Sequence, residues 1–282
     1  MIDLHCHSVF SDGTYTPEEL LDAAEEIGLT AVALTDHDTV SGIPDALEAS
    51  RGKQVRFVPG VEISGEIDHG ALHILGLFVD HRDETLNQML AFAENERFQR
   101  NVNIAARLQA LGMNITVDEV AAEASPGVMG RPHFATIMIR KGYVATMGEA
   151  FVRYLGKDGA AFVPKTRIPR EKAIPVIRGA SGIPVLAHPD QTHRGGKELD
   201  ELLSALRGLG LVGMETHYSG YTTERMRDFR QTAERIGLLE SGGSDFHGAV
   251  KPSLSLGTGP GNLHVPDQFY FDLLKAAEAL RS

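Results

Sequence analysis

Short apolar, β-branched runs alternate with helical patterns along most of this 282-residue chain, and that alternation restricts the fold more than any other feature. Strands are expected near Ile2–His7, Ala31–Asp36, Arg56–Ser64, Leu72–Val79, Pro184–His188, Val212–His217 and Leu238–Asp245. Helices are expected near Pro17–Ile27, Ile43–Arg51, Arg170–Arg178, Lys197–Leu209, Thr223–Ile236 and Pro266–Leu280. Strand followed by helix, repeated, predicts parallel βα units, and seven such strands suit a βα barrel one unit short of the common eight.

The alternation breaks once, between Glu84 and Lys165. There the apolar spacing is helical, with Leu86, Met89, Leu90 and Ala93, then Ile104, Ala105, Leu108 and Leu111, read as one stripe. Turn signals at Leu111–Gly112, Ser125–Pro126–Gly127 and Lys141–Gly142 divide the segment. It is too long for an ordinary connection and is read as a helical insertion over the strand ends. The expected division is therefore residues 1–83 as the first part of a barrel, 84–165 as the insertion and 166–282 as the second part.

Polar residues sit where such a barrel would carry chemistry. His5 and His7 are two apart on the first strand, so their side chains share a face while Cys6 points to the other. Asp12-Gly13 follows in a turn, the second strand runs into Thr35-Asp36-His37-Asp38-Thr39, the third carries Glu62 and the fourth His73. The fifth ends in His188-Pro189 and the seventh in Ser244-Asp245-Phe246-His247. Core histidines have no reason to collect at strand ends, whereas active sites of βα barrels form at the C-terminal ends of strands. Imidazole and carboxylate together are the donor set of Zn, Mn or Fe. The pool of candidate ligands is His5, His7, Asp12, His37, Glu62, His73, His188, Asp245 and His247.

Other residues read differently. His69, His81, His193 and His264 lie in polar loop contexts and are read as exposed or capping histidines. Asp36, Asp38 and Asp3 are expected to orient neighbours rather than bind metal. Glu215 and His217, an i, i+2 pair on the sixth strand, either touch the site or do not. Cys6, the only cysteine, excludes an intramolecular disulfide and reads as a small buried hydrophobe. A Cys-x5-Arg phosphatase loop is excluded because the sixth residue after Cys6 is Asp12. The net charge of −11 argues against a surface that tracks long nucleic acid, though not against a short nucleotide held by metals. The first residues do not resemble a signal peptide and no apolar run is long enough to span a bilayer, so a cytoplasmic protein with no membrane association is expected.

His5-Cys6-His7-Ser8 with Ser11-Asp12-Gly13, Thr35-Asp36-His37-Asp38-Thr39, Gly60-Val61-Glu62-Ile63-Ser64, His188-Pro189 and Gly243-Ser244-Asp245-Phe246-His247 resemble the PHP (polymerase and histidinol phosphatase) superfamily. Within it the chain is most similar to stand-alone phosphoesterases of the TrpH-type nucleotide phosphatase and 5′-3′ exoribonuclease branch, whose Arg/His motif is matched by Gly130-Arg131-Pro132-His133-Phe134. The resemblance implies an α/β fold, a distorted (β/α)7 barrel with a helical insertion domain, and a centre of three divalent ions (Mn2+, Fe2+ or Zn2+). It also implies a partition that the residues alone do not give. His5, His7, Glu62 and Asp245 would hold one ion, with Glu62 bridging to a second held by His73 and His188, and Asp12, His37 and His247 would hold the third. One departure is Met214-Glu215-Thr216-His217-Tyr218-Ser219-Gly220-Tyr221, where relatives more often place an aromatic after Glu-x and a histidine further on.

Three divalent ions against three carboxylates would leave a positive pocket in an acidic protein, which favours an anionic substrate. The expected reaction is hydrolysis of phosphomonoesters of small nucleotides, such as a nucleoside 3′,5′-bisphosphate or mononucleotide, extending to short RNA 5′ ends, by a metal-activated hydroxide. Proline at the first turn of a helix beside Arg131 suits anion binding at the helix start. Asp12, His37, Arg131 and His133 are the expected catalytic residues, and Arg131, His133, His217 and Lys157 the expected substrate contacts. Lys165 is a further cation of the same kind. Competing readings are a histidinol-phosphate phosphatase, a metal-dependent amidohydrolase and a non-catalytic metal-binding module; no obligate protein partner is evident.

Overall fold

The computed structural model describes residues 1–124 and 128–281, so the turn signal expected at Ser125–Pro126–Gly127 lies outside the described residues. Seven strands form one sheet in chain order: β1 (Ile2–Asp3), β2 (Ala31–Leu34), β3 (Arg56–Gly65), β4 (Leu72–Leu77), β5 (Ile183–Leu186), β6 (Gly213–Tyr218) and β7 (Leu239–Gly243). The two ends of the sheet meet, because Leu4 N–H donates to Gly242 O at 3.1 Å and His7 N–H to Phe246 O at 2.9 Å. The result is a nearly closed seven-stranded barrel.

The all-parallel expectation fails at one strand. β4 runs antiparallel to both β3 and β5, while the other neighbouring pairs are parallel. The reason is the length of the connection. Residues 66–71 join β3 to β4, and a parallel crossover needs roughly a dozen residues or more.

The chain divides into two compact units, Met1–Leu90 with Arg167–Ser282, and Ala91–Thr166. In the first, helices α1 (Pro17–Glu26), α2 (Ile43–Ala49), α7 (Arg170–Gly179), α8 (Gly196–Leu209), α9 (Thr223–Ile236) and α10 (Asp267–Arg281) accompany the barrel. Alternation on β2 shows how the core is split. Ala31 and Ala33 join Ile2, Leu4, Val58, Leu75 and Val185 in one buried cluster, whereas Val32 and Leu34 pack with Cys6, Leu20, Leu21 and Phe246 in another. Cys6 thus faces away from His5 and His7, as a small buried side chain. Thr16 starts α1 with a reciprocal cap: its hydroxyl accepts Glu19 N–H at 3.2 Å and Glu19 Oε2 accepts Thr16 N–H at 2.8 Å. α8 and α9 end at glycines with φ of +111° and +76°, a backbone that other residues adopt at a cost.

The second unit is built from most of α3 (Glu84–Ala110), with α4 (Val117–Ala124), α5 (Arg131–Arg140), α6 (Met147–Ala150) and the π-turn Phe151–Leu155. Its core gathers Ile104, Leu108, Val120, Phe134, Ile137, Met138 and Leu155. The stripe read along α3 is two stripes. Leu86 and Leu90 are buried residues of the first unit, Ile104 and Leu108 belong to the core of the second, and Leu111 lies 47% exposed beyond the helix end. Among the described residues, no helix is long and apolar enough to cross a membrane.

Candidate metal centre

All nine candidate ligands fall in the first unit and converge on one rim of the barrel. Strand direction explains His73. It is the second residue of β4, near that strand's beginning, but β4 runs backwards and so delivers it to the rim where β3 delivers Glu62. Other ligands are brought in by unusual backbone: His188 and Asp245 have φ of +26° and +55° just beyond β5 and β7, conformations uncommon for residues with a side chain. Gly243 is required by closeness, since a Cβ there would sit 2.5 Å from His5 Cβ.

Glu62 lies at the centre of the arrangement, fully buried. Its Oε2 stands 3.2 Å from His5 Nε2, 3.2 Å from His7 Nε2 and 3.0 Å from His37 Nδ1. Its Oε1 stands 2.7 Å from His73 Nδ1 and 3.0 Å from His188 Nε2. Asp245 Oδ1 adds to the first set, 3.5 Å from His5 Nε2 and 3.2 Å from His7 Nε2. Asp12 lies 3.3 Å from His247 Nε2 and 3.7 Å from His37 Nε2. Donors about 2.1 Å from a common ion stand roughly 3.0–3.4 Å apart in octahedral or tetrahedral geometry, so these spacings suit ion binding. The fit is chemical as well: His5 Nε2, His7 Nε2, His37 Nδ1, His73 Nδ1 and Glu62 Oε2 are buried without a hydrogen-bond partner in the protein. Such atoms are costly unless something else binds them.

The charges are mutually dependent. Burial by itself would pull the His7 imidazolium down, but the adjacent carboxylates of Asp245 and Glu62 raise it from 6.5 to about 10. His5 rises in the same way, against burial, through Glu215, Glu62 and Asp245. Glu62 and Asp245, despite burial, are held well below the usual carboxylate range by the surrounding imidazoles. His37 goes the other way, lowered to about 3, chiefly by burial.

A second layer of groups fixes the first. Glu215 Oε1 accepts from His5 Nδ1 at 3.0 Å and its Oε2 accepts the His188 backbone N–H at 2.6 Å, which leaves His5 Nε2 for the centre. His247 Nδ1 bonds to Asp245 O at 2.8 Å and so presents Nε2 toward Asp12. Asp36 accepts Ser8 N–H, Ser8 Oγ and Ser11 Oγ at 2.8, 2.6 and 2.5 Å, tying down the loop that carries Asp12. Asp38 takes Ser64 N–H at 2.9 Å, and Asp3 takes Ser244 N–H and Gly257 N–H, both at 2.8 Å.

His217 does not join the ligand candidates. A β-bulge separates Glu215, paired with Ser241, from His217, paired with Gly242. The extra residue reverses the alternation. Glu215 keeps the inward side, while His217 turns to Thr216 Oγ1 at 2.9 Å and packs its ring against Phe269 of α10. Tyr218 takes the inward place instead. Its hydroxyl donates to Asp245 Oδ2 at 2.8 Å, and its ring lies 5.4 Å from that of His188. Lys251 Nζ donates to the same Asp245 oxygen at 2.8 Å. Tyr218 lies in the segment that departs from relatives, where an unsignalled bulge decides which of His217 and Tyr218 faces inward, and Lys251, not among the expected site residues, lies in a loop without periodicity.

In the second unit, Arg131 opens α5 after Gly130, and its guanidinium donates to Leu155 O at 3.1 Å and lies over the Phe151 ring. His133 Nδ1 accepts Gly130 N–H at 3.1 Å. Arg100 is lowered to about 10 by burial and by the charges of Arg131 and Arg97, so three arginines concentrate positive charge here. Lys157 is exposed in the same unit. His69, His193 and His264 are exposed and His81 is partly so.

A nearly closed βα barrel that gathers imidazoles around a shared carboxylate at one rim is an arrangement suited to binding metal ions. The PHP domain model matches residues 3–122. A 5′-3′ exoribonuclease of Haemophilus influenzae is 35% identical over 245 residues, covering 87% of this chain and 89% of the relative. A 3′,5′-nucleoside bisphosphate phosphatase of Chromobacterium violaceum is 33% identical over 247 residues, 87% of each chain. A solved structure assigned as a metal-dependent phosphoesterase, from Bifidobacterium adolescentis, superposes with a TM-score of 0.81 at 32% identity over 97% of this chain and 95% of that one. The chain belongs to the PHP family.

Proposed function

We propose that the protein is a metal-dependent phosphoesterase that hydrolyses phosphomonoesters of small nucleotides, with nucleoside 3′,5′-bisphosphates as the leading substrates and short 5′-phosphorylated RNA as an extension. The carrying observation is the division of Glu62, one oxygen turned to His5, His7 and His37 and the other to His73 and His188. A carboxylate used on both sides suits adjacent cations. The proposed set is three: one at His5, His7, Glu62 and Asp245, one at Glu62, His73 and His188, and one at Asp12, His37 and His247, with Mn2+, Fe2+ or Zn2+ as the ions. When bound, such ions polarise phosphoryl oxygens and lower the pKa of coordinated water.

This chain's residues supply the rest. Glu215 and the Asp245 carbonyl hold His5 and His247 in the tautomers that present Nε2 to the centre. Arg131 and His133 are proposed to contact the phosphate, Arg131 as a forked donor and His133 as a proton donor to the leaving oxygen. The concentration of Arg97, Arg100 and Arg131 supports an anion-binding role for the second unit, which is proposed as the substrate domain; Lys157 carries no comparable support. The names of the relatives, an exoribonuclease and a bisphosphate phosphatase, point to nucleotides and RNA and do not favour histidinol phosphate. A cytoplasmic location belongs to the same proposal.

The test is phosphate release by Mn2+-loaded protein from a panel of nucleoside bisphosphates, mononucleotides, histidinol phosphate and short 5′-phosphorylated RNA. Preference for bisphosphonucleotides or RNA supports the reading. Release from histidinol phosphate alone, or no release at all, overturns it. Arg131→Ala should raise KM or lower kcat with full metal content, and loss of metal in that variant would contradict the assigned role.

A further inference from the structure

We propose that Lys251 contacts the substrate at the metal centre, its ammonium binding a non-bridging oxygen of the phosphoryl group. This inference rests on the phosphoesterase reading and adds a residue to it.

Lys251 follows the short 3-10 turn Gly248–Val250, directly after the ligand candidate His247. Its Nζ lies 2.8 Å from Asp245 Oδ2, and the other oxygen of that carboxylate faces His5 and His7. The ammonium therefore stands one carboxylate away from the metal-facing atoms. Tyr218 Oη already donates to the same Oδ2 at 2.8 Å, so Asp245 has a neutral donor that orients it without Lys251. An ammonium has three donors, and Asp245 is its one protein partner among the described residues. The side chain is 38% exposed, so the remaining donors have an open side.

Charge gives the direction of the argument. With divalent ions bound, Asp245 is neutralised, and Lys251 becomes one more positive charge beside a positive centre. That placement is favourable when an anion joins the two, and a phosphoryl dianion has oxygens to spare for both. The loop is also held in place. Ala249 N–H donates to Thr14 Oγ1 at 2.9 Å and Thr14 N–H to His247 O at 3.2 Å, fastening the Lys251 turn to the loop that carries Asp12. Gly248, with φ of +65°, packs so closely on Thr14 that no Cβ fits. A cation fixed this way is positioned before the substrate arrives.

The experiment uses full-length protein loaded with Mn2+, as wild type, Lys251→Met and Lys251→Arg. Metal content, the thermal midpoint, binding of inorganic phosphate by calorimetry and kcat/KM for a phosphomonoester are measured for each. The expected result is full metal content in all three, phosphate binding weakened about tenfold or more in Lys251→Met, and binding within about threefold of wild type in Lys251→Arg. Unchanged phosphate affinity in Lys251→Met overturns the proposal. So does loss of metal in that variant, which would make Lys251 a prop for Asp245. Wild type that binds phosphate but hydrolyses no phosphoester would sink the phosphoesterase reading instead, and the phosphate-binding comparison would still decide the role of Lys251.

Discussion

Glu215 and His5 are joined by a buried hydrogen bond of 3.0 Å, and the other oxygen of the same carboxylate holds the backbone of His188. One side chain on β6 therefore orients two ligand candidates that come from β1 and β5. Glu215→Gln should fold normally but bind metal about 10–100-fold more weakly, because the amide is a poorer acceptor and misorients His5. Calorimetric titration of the apoprotein with Mn2+ checks this, and an unchanged affinity would show that Glu215 does not tune the centre.

Glu62→Gln should do more damage. It replaces a carboxylate that faces five imidazoles with an amide that has one accepting atom. The expected outcome is loss of at least one equivalent of metal and a fall in kcat of about 100-fold or more. Elemental analysis beside single-turnover kinetics separates the two effects.

Stability of the metal-free protein should depend on pH in two directions. His7 is raised from 6.5 to about 10, so its contribution is complete below 6.5 and is lost as pH climbs through 10. His37 is lowered from 6.5 to about 3, so the folded state is penalised as pH falls from 6.5 toward 3. Thermal midpoints in a chelator should therefore peak near pH 6.5. Metal ligation needs deprotonated imidazoles, so loading with Mn2+ should remove the alkaline decline. A flat alkaline limb in the chelator would refute the assigned charge state of His7.

The outward turn of His217 predicts a near-silent substitution. His217→Gln should leave kcat/KM within about threefold of wild type and cost about 1 kcal/mol of stability through the Thr216 bond and the Phe269 contact. A large rise in KM would restore His217 to the substrate site.

Phe134→Ala should destabilise the Ala91–Thr166 unit by about 3–5 kcal/mol, since Phe134 is fully buried in its core. Every ligand candidate lies in the other unit, so metal content should stay full while that unit's protection against hydrogen exchange falls.

The sequence alone was enough to determine the order of the seven strands and of the six helices that accompany them, and the pool of ligand candidates, because each rests on local information. Periodicity of two or 3.6 shows in short windows, and histidines at strand ends stand out against an apolar background. Tertiary structure decided what depends on neighbours. β4 runs antiparallel because its connection to β3 is short, and that reversal brings His73 beside Glu62. The bulge in β6 exchanges His217 for Tyr218, although both residue types suit such a site. Glu215 and Lys251 reach the centre from β6 and from the turn after His247, across distances in the chain that no pattern of spacing records. Side-chain identity could be read directly. Which way each side chain faces depended on register, strand direction and backbone angles at a few strand ends, and these are fixed only when the barrel closes.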